Sequence, residues 1–158
     1  RGVYILNDYS ALRNVNDERF SGPAWLFPLR PTRMFAELNQ VRSVWGDQTA
    51  VNPPFGALLT YHINETGSAQ QDFVIMITDA NGDHVRTLDL PDASGLQRVT
   101  WNLRRDPAEL PAGSRGGRGR QGALVGTGPY TATIGLEEGD TFIGYGEPQT
   151  ILVVPLQR

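Results

Sequence analysis

From Ala57 onward, apolar and polar positions alternate along the chain in short runs separated by turn residues. In Ala57–Ile63, Leu59, Tyr61 and Ile63 fall on one face and Leu58, Thr60 and His62 on the other, the period of two expected of a β-strand with one buried side. Phe73–Thr78 is apolar on both faces, which predicts a central strand covered on both sides. Asn81-Gly82 follows, a pair suited to two positive-φ positions and so to a tight hairpin, with His84–Leu88 as the return strand. Gln97–Leu103 alternates again, placing Val99, Trp101 and Leu103 inward and Arg98, Thr100 and Asn102 outward. Tyr130–Leu136 sets Tyr130, Ala132 and Ile134 on one face, and Thr141–Tyr145 and Gln149–Val154 supply the last two runs. Six or seven short strands at this spacing predict an all-β, antiparallel sandwich of about seven strands.

Residues 1–56 read differently. Gly2–Leu6 is a strand-like run, and Ser10 is placed to cap a short helix from Ala11 towards Arg19. Ala24-Trp25-Leu26-Phe27-Pro28-Leu29-Arg30-Pro31 combines aromatic residues with two prolines. Proline rules out a regular helix and disfavours a central strand, so the expectation is an irregular arm lying on an apolar surface. The division is therefore 1–56 as an extended N-terminal arm and 57–158 as the sandwich. Within the sandwich, residues 111–123 are dense in Gly and Arg. Glycine at this density does not support a packed element, which predicts a long loop between two strands.

Composition narrows the function classes. The 18 Gly and 11 Pro suit many short strands joined by turns. A formal net charge of -3 gives no general attraction to nucleic acid. Without cysteine there is neither a disulfide nor a thiolate metal site. No apolar run approaches the ~20 residues of a membrane-spanning helix. All 14 basic residues are arginine, which fits a GC-rich genome as well as selection for bidentate contacts to carboxylate or phosphate. The chain begins at Arg1 and not at methionine, compatible with a processed, cleaved or trimmed chain.

Candidate chemistry is sparse. His62 and His84 sit in separate strands on the face away from the core, too few and too far apart in sequence for a metal site. Asp79, Asn81 and Asp83 resemble the opening of a calcium loop, but Arg86 stands where ligands should continue, which favours a simple turn. Glu137, Glu138 and Asp140 share one turn, where carboxylates point into water and not across a cleft. The expectation is a chain that is not an enzyme, with no cofactor, metal or small-molecule substrate. What remains are candidate partner contacts. Trp25, Phe27, Phe35 and Trp45 lie in the arm, and Arg115, Arg118 and Arg120 lie in the loop, where they could meet carboxylates, phosphates or lipid head groups.

Three stretches resemble the immunoglobulin-like, fibronectin-III-like module known as the FlgD-type Ig domain. They are the hairpin Ile77–Leu88, the strand Gly95-Leu96-Gln97-Arg98-Val99-Thr100-Trp101-Asn102-Leu103-Arg104, and Gly128-Pro129-Tyr130-Thr131-Ala132-Thr133-Ile134, in which Gly and Pro depart from the usual Pro-Gly-Thr-Tyr order. Gly2–Arg13 and Ala24–Pro31 are similar to the segment leaving the last propeller blade in sortilin-like (BNR/VPS10-type) bacterial secreted proteins. These 158 residues hold no propeller, so no propeller site carries over. The resemblance implies an Ig-like sandwich outside the cytoplasm (periplasm, cell envelope or secreted), acting as a structural, protein-interaction subunit of a larger assembly near a membrane surface. The alternative is a carbohydrate-binding accessory domain of a secreted glycoside hydrolase, with Tyr61, Tyr145 and Trp45 as its sugar platform.

Overall fold

A computed structural model describes residue 13 and residues 21–34, 55–64, 73–107, 122–139 and 141–155. Eight strands occur in this part of the chain: β1 (Ala24–Leu26), β2 (Thr32–Met34), β3 (Ala57–Ile63), β4 (Phe73–Thr78), β5 (His84–Asp89), β6 (Gly95–Trp101), β7 (Gly128–Glu138) and β8 (Thr141–Pro155). They form two sheets, one of order β1-β3-β6 and one of order β2-β8-β7-β4-β5. All pairings are antiparallel except β2 with β8. The chain crosses between sheets at β1–β2, β2–β3, β3–β4, β5–β6 and β6–β7, and returns within one sheet only at the β4–β5 and β7–β8 hairpins. The result is a two-layer β-sandwich.

The inner faces carry the residues that alternation marks. Leu59, Tyr61, Ile63 and Trp101 from the smaller sheet meet Ile75, Ile77, Tyr130, Ala132, Ile134 and Ile151 from the larger, all buried. β4 lies between β7 and β5 and is apolar on both faces, as its sequence requires. Val99 is only partly buried and packs against this core from the rim. At one end of the core the Trp101 and Tyr130 rings meet edge-on, 5.3 Å apart at 68°. The Trp101 indole N–H donates to the Arg104 carbonyl at 2.9 Å. The Tyr130 hydroxyl donates to the Gly126 carbonyl four residues upstream, at 3.0 Å. A tyrosine near the start of a strand, tied back to the chain that leads into it, is the corner found in immunoglobulin-like sandwiches.

The boundary at residue 57 needs correction. Residues 24–34 are not an arm: β1 adds to β3 through Ala24↔Ile63, Trp25↔His62 and Leu26↔Tyr61, and β2 adds to β8 through Thr32↔Val153. Proline is tolerated at sheet edges, so Pro28 and Pro31 limit these strands to three residues each without excluding them. The short helix expected from Ala11 to Arg19 falls outside the described residues apart from Arg13, as do most of residues 111–123.

The Asn81-Gly82 turn also differs. Gly82 alone has positive φ, at 87°. Its N–H donates to the Asp79 carbonyl at 3.0 Å, and Asp79 and Asp83 pair through Asp79 N–H to Asp83 O at 2.9 Å. This is a three-residue connection with glycine in the left-handed position, accompanied by a register shift at Ile77/Thr78. The two runs expected at 141–145 and 149–154 are one strand, β8, interrupted where residues 146–148 bulge opposite Thr133.

Candidate functional site

The best-defined polar cluster lies where the chain leaves β6. Leu103 takes a left-handed φ of 56°, an uncommon conformation for a branched side chain. It turns the main chain towards β5. Asp106 then closes over that sheet edge: its N–H donates to the Val85 carbonyl at 2.9 Å, and its Oδ2 accepts the Thr87 N–H at 3.2 Å. Its Oδ1 lies 3.1 Å from an Arg86 guanidinium nitrogen. His84 stands beside it, with Nε2 at 3.6 Å from Asp106 and 2.9 Å from the Thr87 hydroxyl.

The same segment is fastened to the residues that follow the Gly- and Arg-rich stretch of the sequence. Arg105 N–H donates to Ala123 O, and Val125 N–H to Leu103 O. The Arg104 guanidinium donates to Gly122 O at 3.1 Å. A Cβ at Gly122 would fall 1.9 Å from the Arg105 carbonyl oxygen, so only glycine allows the two legs to approach this closely. Both legs are thus fastened to each other and, through Asp106, to β5. Replacing Asp106 with alanine is expected to cost about 1 kcal/mol, the ordinary net worth of a lost hydrogen bond. It should also speed hydrogen exchange at the Thr87 amide. An unchanged Thr87 amide would show that the carboxylate does not hold the loop root.

The remaining candidates are placed as follows. Phe35, Trp45, Arg115, Arg118 and Arg120 lie outside the described residues. Phe27 is fully buried and its N–H bonds the Thr60 carbonyl, extending the β1 ladder. Its ring is spent on the chain's own fold, which corrects its assignment to a docking surface. Trp25 is half-buried, and a Cβ at Gly146 would meet its ring at 3.0 Å. The two are in adjacent contact where β1 passes β8. His62 and His84 are on different sheets, and no group of three metal-ligating side chains occurs among the described residues. The Asp79 carboxylate is turned inward on its own hairpin, accepting the N–H groups of Asn81 and Asp83. Glu137 and Glu138 are exposed at the β7–β8 tip. Sequence reading did not anticipate an open cleft of about 540 Å³ lined by Arg30, Pro31, Arg33, Val154 and Pro155, because it depends on the unforeseen pairing of β2 with β8.

Tyr61 does not serve a sugar platform. It is fully buried, and its hydroxyl has no hydrogen-bond partner among the described residues. Burial pushes its phenol above the usual 10.0. The folded state therefore keeps a proton that the unfolded chain releases. The contribution to stability is complete below about pH 10 and is lost as the pH rises through the folded value. Tyr61→Phe is expected to remove that alkaline loss and to stabilise the protein by about 1 kcal/mol at neutral pH, since it deletes a buried, unsatisfied hydroxyl. Urea unfolding at neutral and alkaline pH measures both, and a destabilised variant would reveal a hidden partner for the hydroxyl. Tyr145 packs its ring 6.2 Å from Phe73, and Trp45 lies outside the described residues. Comparison of the chain with family models, curated proteins and solved structures finds no match.

Proposed function

We propose that the chain is a non-catalytic docking module of a larger extracytoplasmic assembly, built on an Ig-like sandwich of the FlgD type and contacting a protein partner through its arginine-rich segment. The observation that carries this is the doubly fastened root of that segment. Four interactions, Arg105 to Ala123, Val125 to Leu103, Arg104 to Gly122 and Asp106 to β5, spend main-chain and side-chain bonds on holding the two legs in place. A connection that merely spanned two strands would not require them. Between the two legs the sequence carries Arg115, Arg118 and Arg120, whose planar guanidinium groups suit carboxylate-rich surfaces.

The test replaces those three arginines together with glutamine and follows the full chain in its native source by quantitative cross-linking mass spectrometry. Loss of intermolecular cross-links, with an unchanged circular dichroism spectrum and unfolding midpoint, is the expected result. Equal cross-link yields from both chains would sink the reading. Calorimetric titration against a polysaccharide panel should be flat, and measurable heat of sugar binding would favour the carbohydrate-binding alternative.

A further inference from the structure

Where β8 runs beside β2 it turns apolar residues away from the core. Thr32 and its partner Val153 are buried between the sheets. Their neighbours Arg33 and Val154, paired with each other, therefore face the opposite way, out of the larger sheet. Ile151 is buried too, which puts Leu152, 41% exposed, on that outer face together with Val154. Pro129 of β7 stands opposite Leu152 and is exposed. Val154, Leu152 and Pro129 thus make an apolar strip that ends at Arg33. At that end Arg30, Pro31 and Pro155 join Arg33 and Val154 to line the open cleft of about 540 Å³.

The cleft sets positive charge beside an apolar wall. Ion pairs among the described residues gather near β5, where Arg86 meets Asp106 and Arg105 meets Asp79, and none engages Arg33. Arg30 holds an interaction of its own, so the charge of the site is assigned to Arg33. A guanidinium bounded by two prolines and a valine offers a planar fork of donors next to rigid apolar groups, which suits a carboxylate carried on an apolar body. A cleft of this size matches small ligands and single side chains, not the face of a folded partner. It is nevertheless open, and the strip leads away from it along the sheet, with same-face residues about 7 Å apart. The matching ligand is a chain whose end lies in the cleft and whose body follows the strip.

We infer that this cleft receives the carboxyl-terminal end of another polypeptide. Its terminal carboxylate sits on Arg33, its last, aliphatic side chain on Pro31, Val154 and Pro155, and the preceding residues on Leu152 and Pro129. At a chain end the carboxylate and the last side chain leave the same Cα, so charge and apolar group arrive side by side. A glutamate or aspartate within an extended segment does not manage this, because its immediate neighbours point to the opposite face. The inference does not rest on the arginine-rich segment, which belongs to a different part of the chain.

The full chain is titrated by NMR with a glycine- and serine-based peptide that ends in valine-leucine. Amide shifts should centre on Arg33, Leu152 and Val154. The same peptide with an amidated end should bind about fivefold more weakly, the loss of one partly exposed carboxylate–arginine contact. Serine in place of the last leucine should weaken binding by a similar factor. Arg33→Gln should make the acid and the amide bind alike, whereas Leu152→Ser should weaken both equally. If either variant fails to fold, the acid and amide peptides on the unaltered chain still decide the matter. Flat titrations, shifts on other strands, or an amide that binds as well as the acid would each overturn the inference. So would an amidated peptide with an internal glutamate, or free 4-methylpentanoate, that binds as tightly as the acid peptide. None of these experiments involves Arg115, Arg118 or Arg120, so failure here is distinguishable from failure of the docking-loop reading.

Discussion

Trp101→Ala is expected to lower the free energy of unfolding by about 3–5 kcal/mol, the usual range for removing a large buried aromatic ring. Trp101 is fully buried, and its removal leaves a cavity between the two sheets at the level of Tyr130. Two further losses add to the missing burial. The edge-on contact with Tyr130 is worth about 0.5–1.5 kcal/mol beyond area. The Arg104 carbonyl also loses the indole N–H. Against a total stability of about 5–15 kcal/mol for a domain, the variant should be partly unfolded or markedly less resistant to urea. Trp101→Phe keeps most of the ring and forfeits the hydrogen bond, so it should fall between the two. A loss below about 1 kcal/mol for the alanine variant would mean that the core repacks around the site, contrary to the cost expected of an unfilled cavity.

Gly56→Ala is expected to cost at least about 3 kcal/mol, from strain and collision together. Gly56 has a φ of 129°, and a Cβ there would lie 2.0 Å from the Trp101 carbonyl oxygen and 2.8 Å from its carbon. Both are main-chain atoms at the end of β6, paired with the start of β3 through Ala57↔Trp101, and neither strand can move without opening the ladder. Gly82→Ala is the matched comparison. Gly82 also has positive φ, at 87°, but a Cβ there meets nothing within 4 Å. It should show the conformational penalty alone, about 1–2 kcal/mol. The difference between the variants, read from thermal and urea unfolding, isolates the collision. Equal losses would show that the β3–β6 end opens freely.

Alternation made β3, β4, β6 and β7 legible because each runs for six residues or more and offers one or two faces to a dry interior. Trp101, Tyr130 and Ile134 were placed in the core on that basis, and they are there. Three-residue strands have no period to read. β1 and β2 exist because β3 and β8 offer free edges, a tertiary cause that prolines at 28 and 31 obscure. The Asn81-Gly82 turn was misread in geometry for a local reason: the Asp79 side chain accepts the N–H groups of Asn81 and Asp83, which favours the longer connection over the two-residue one. Phe27 was misassigned because its proline-flanked neighbourhood hid the β1 ladder that carries it inward. The Asp106 cover on β5 could not have been foreseen, since it joins residues 19 to 21 positions apart through a turn set by one left-handed leucine.

The parallel pairing of β2 with β8, through Thr32↔Val153 and Met34↔Pro155, has a mechanical consequence. β2 follows β1, and β8 is the last described strand; β2 and β8 run side by side in the same direction. Tension between the start of β2 and the end of β8 loads their hydrogen bonds lengthwise, in shear, so the bonds share the load and give way together. A hairpin pulled open from its end would surrender them singly. Single-molecule stretching of the chain between flanking handles should therefore show one abrupt rupture, and Val153→Pro should lower the force at which it occurs.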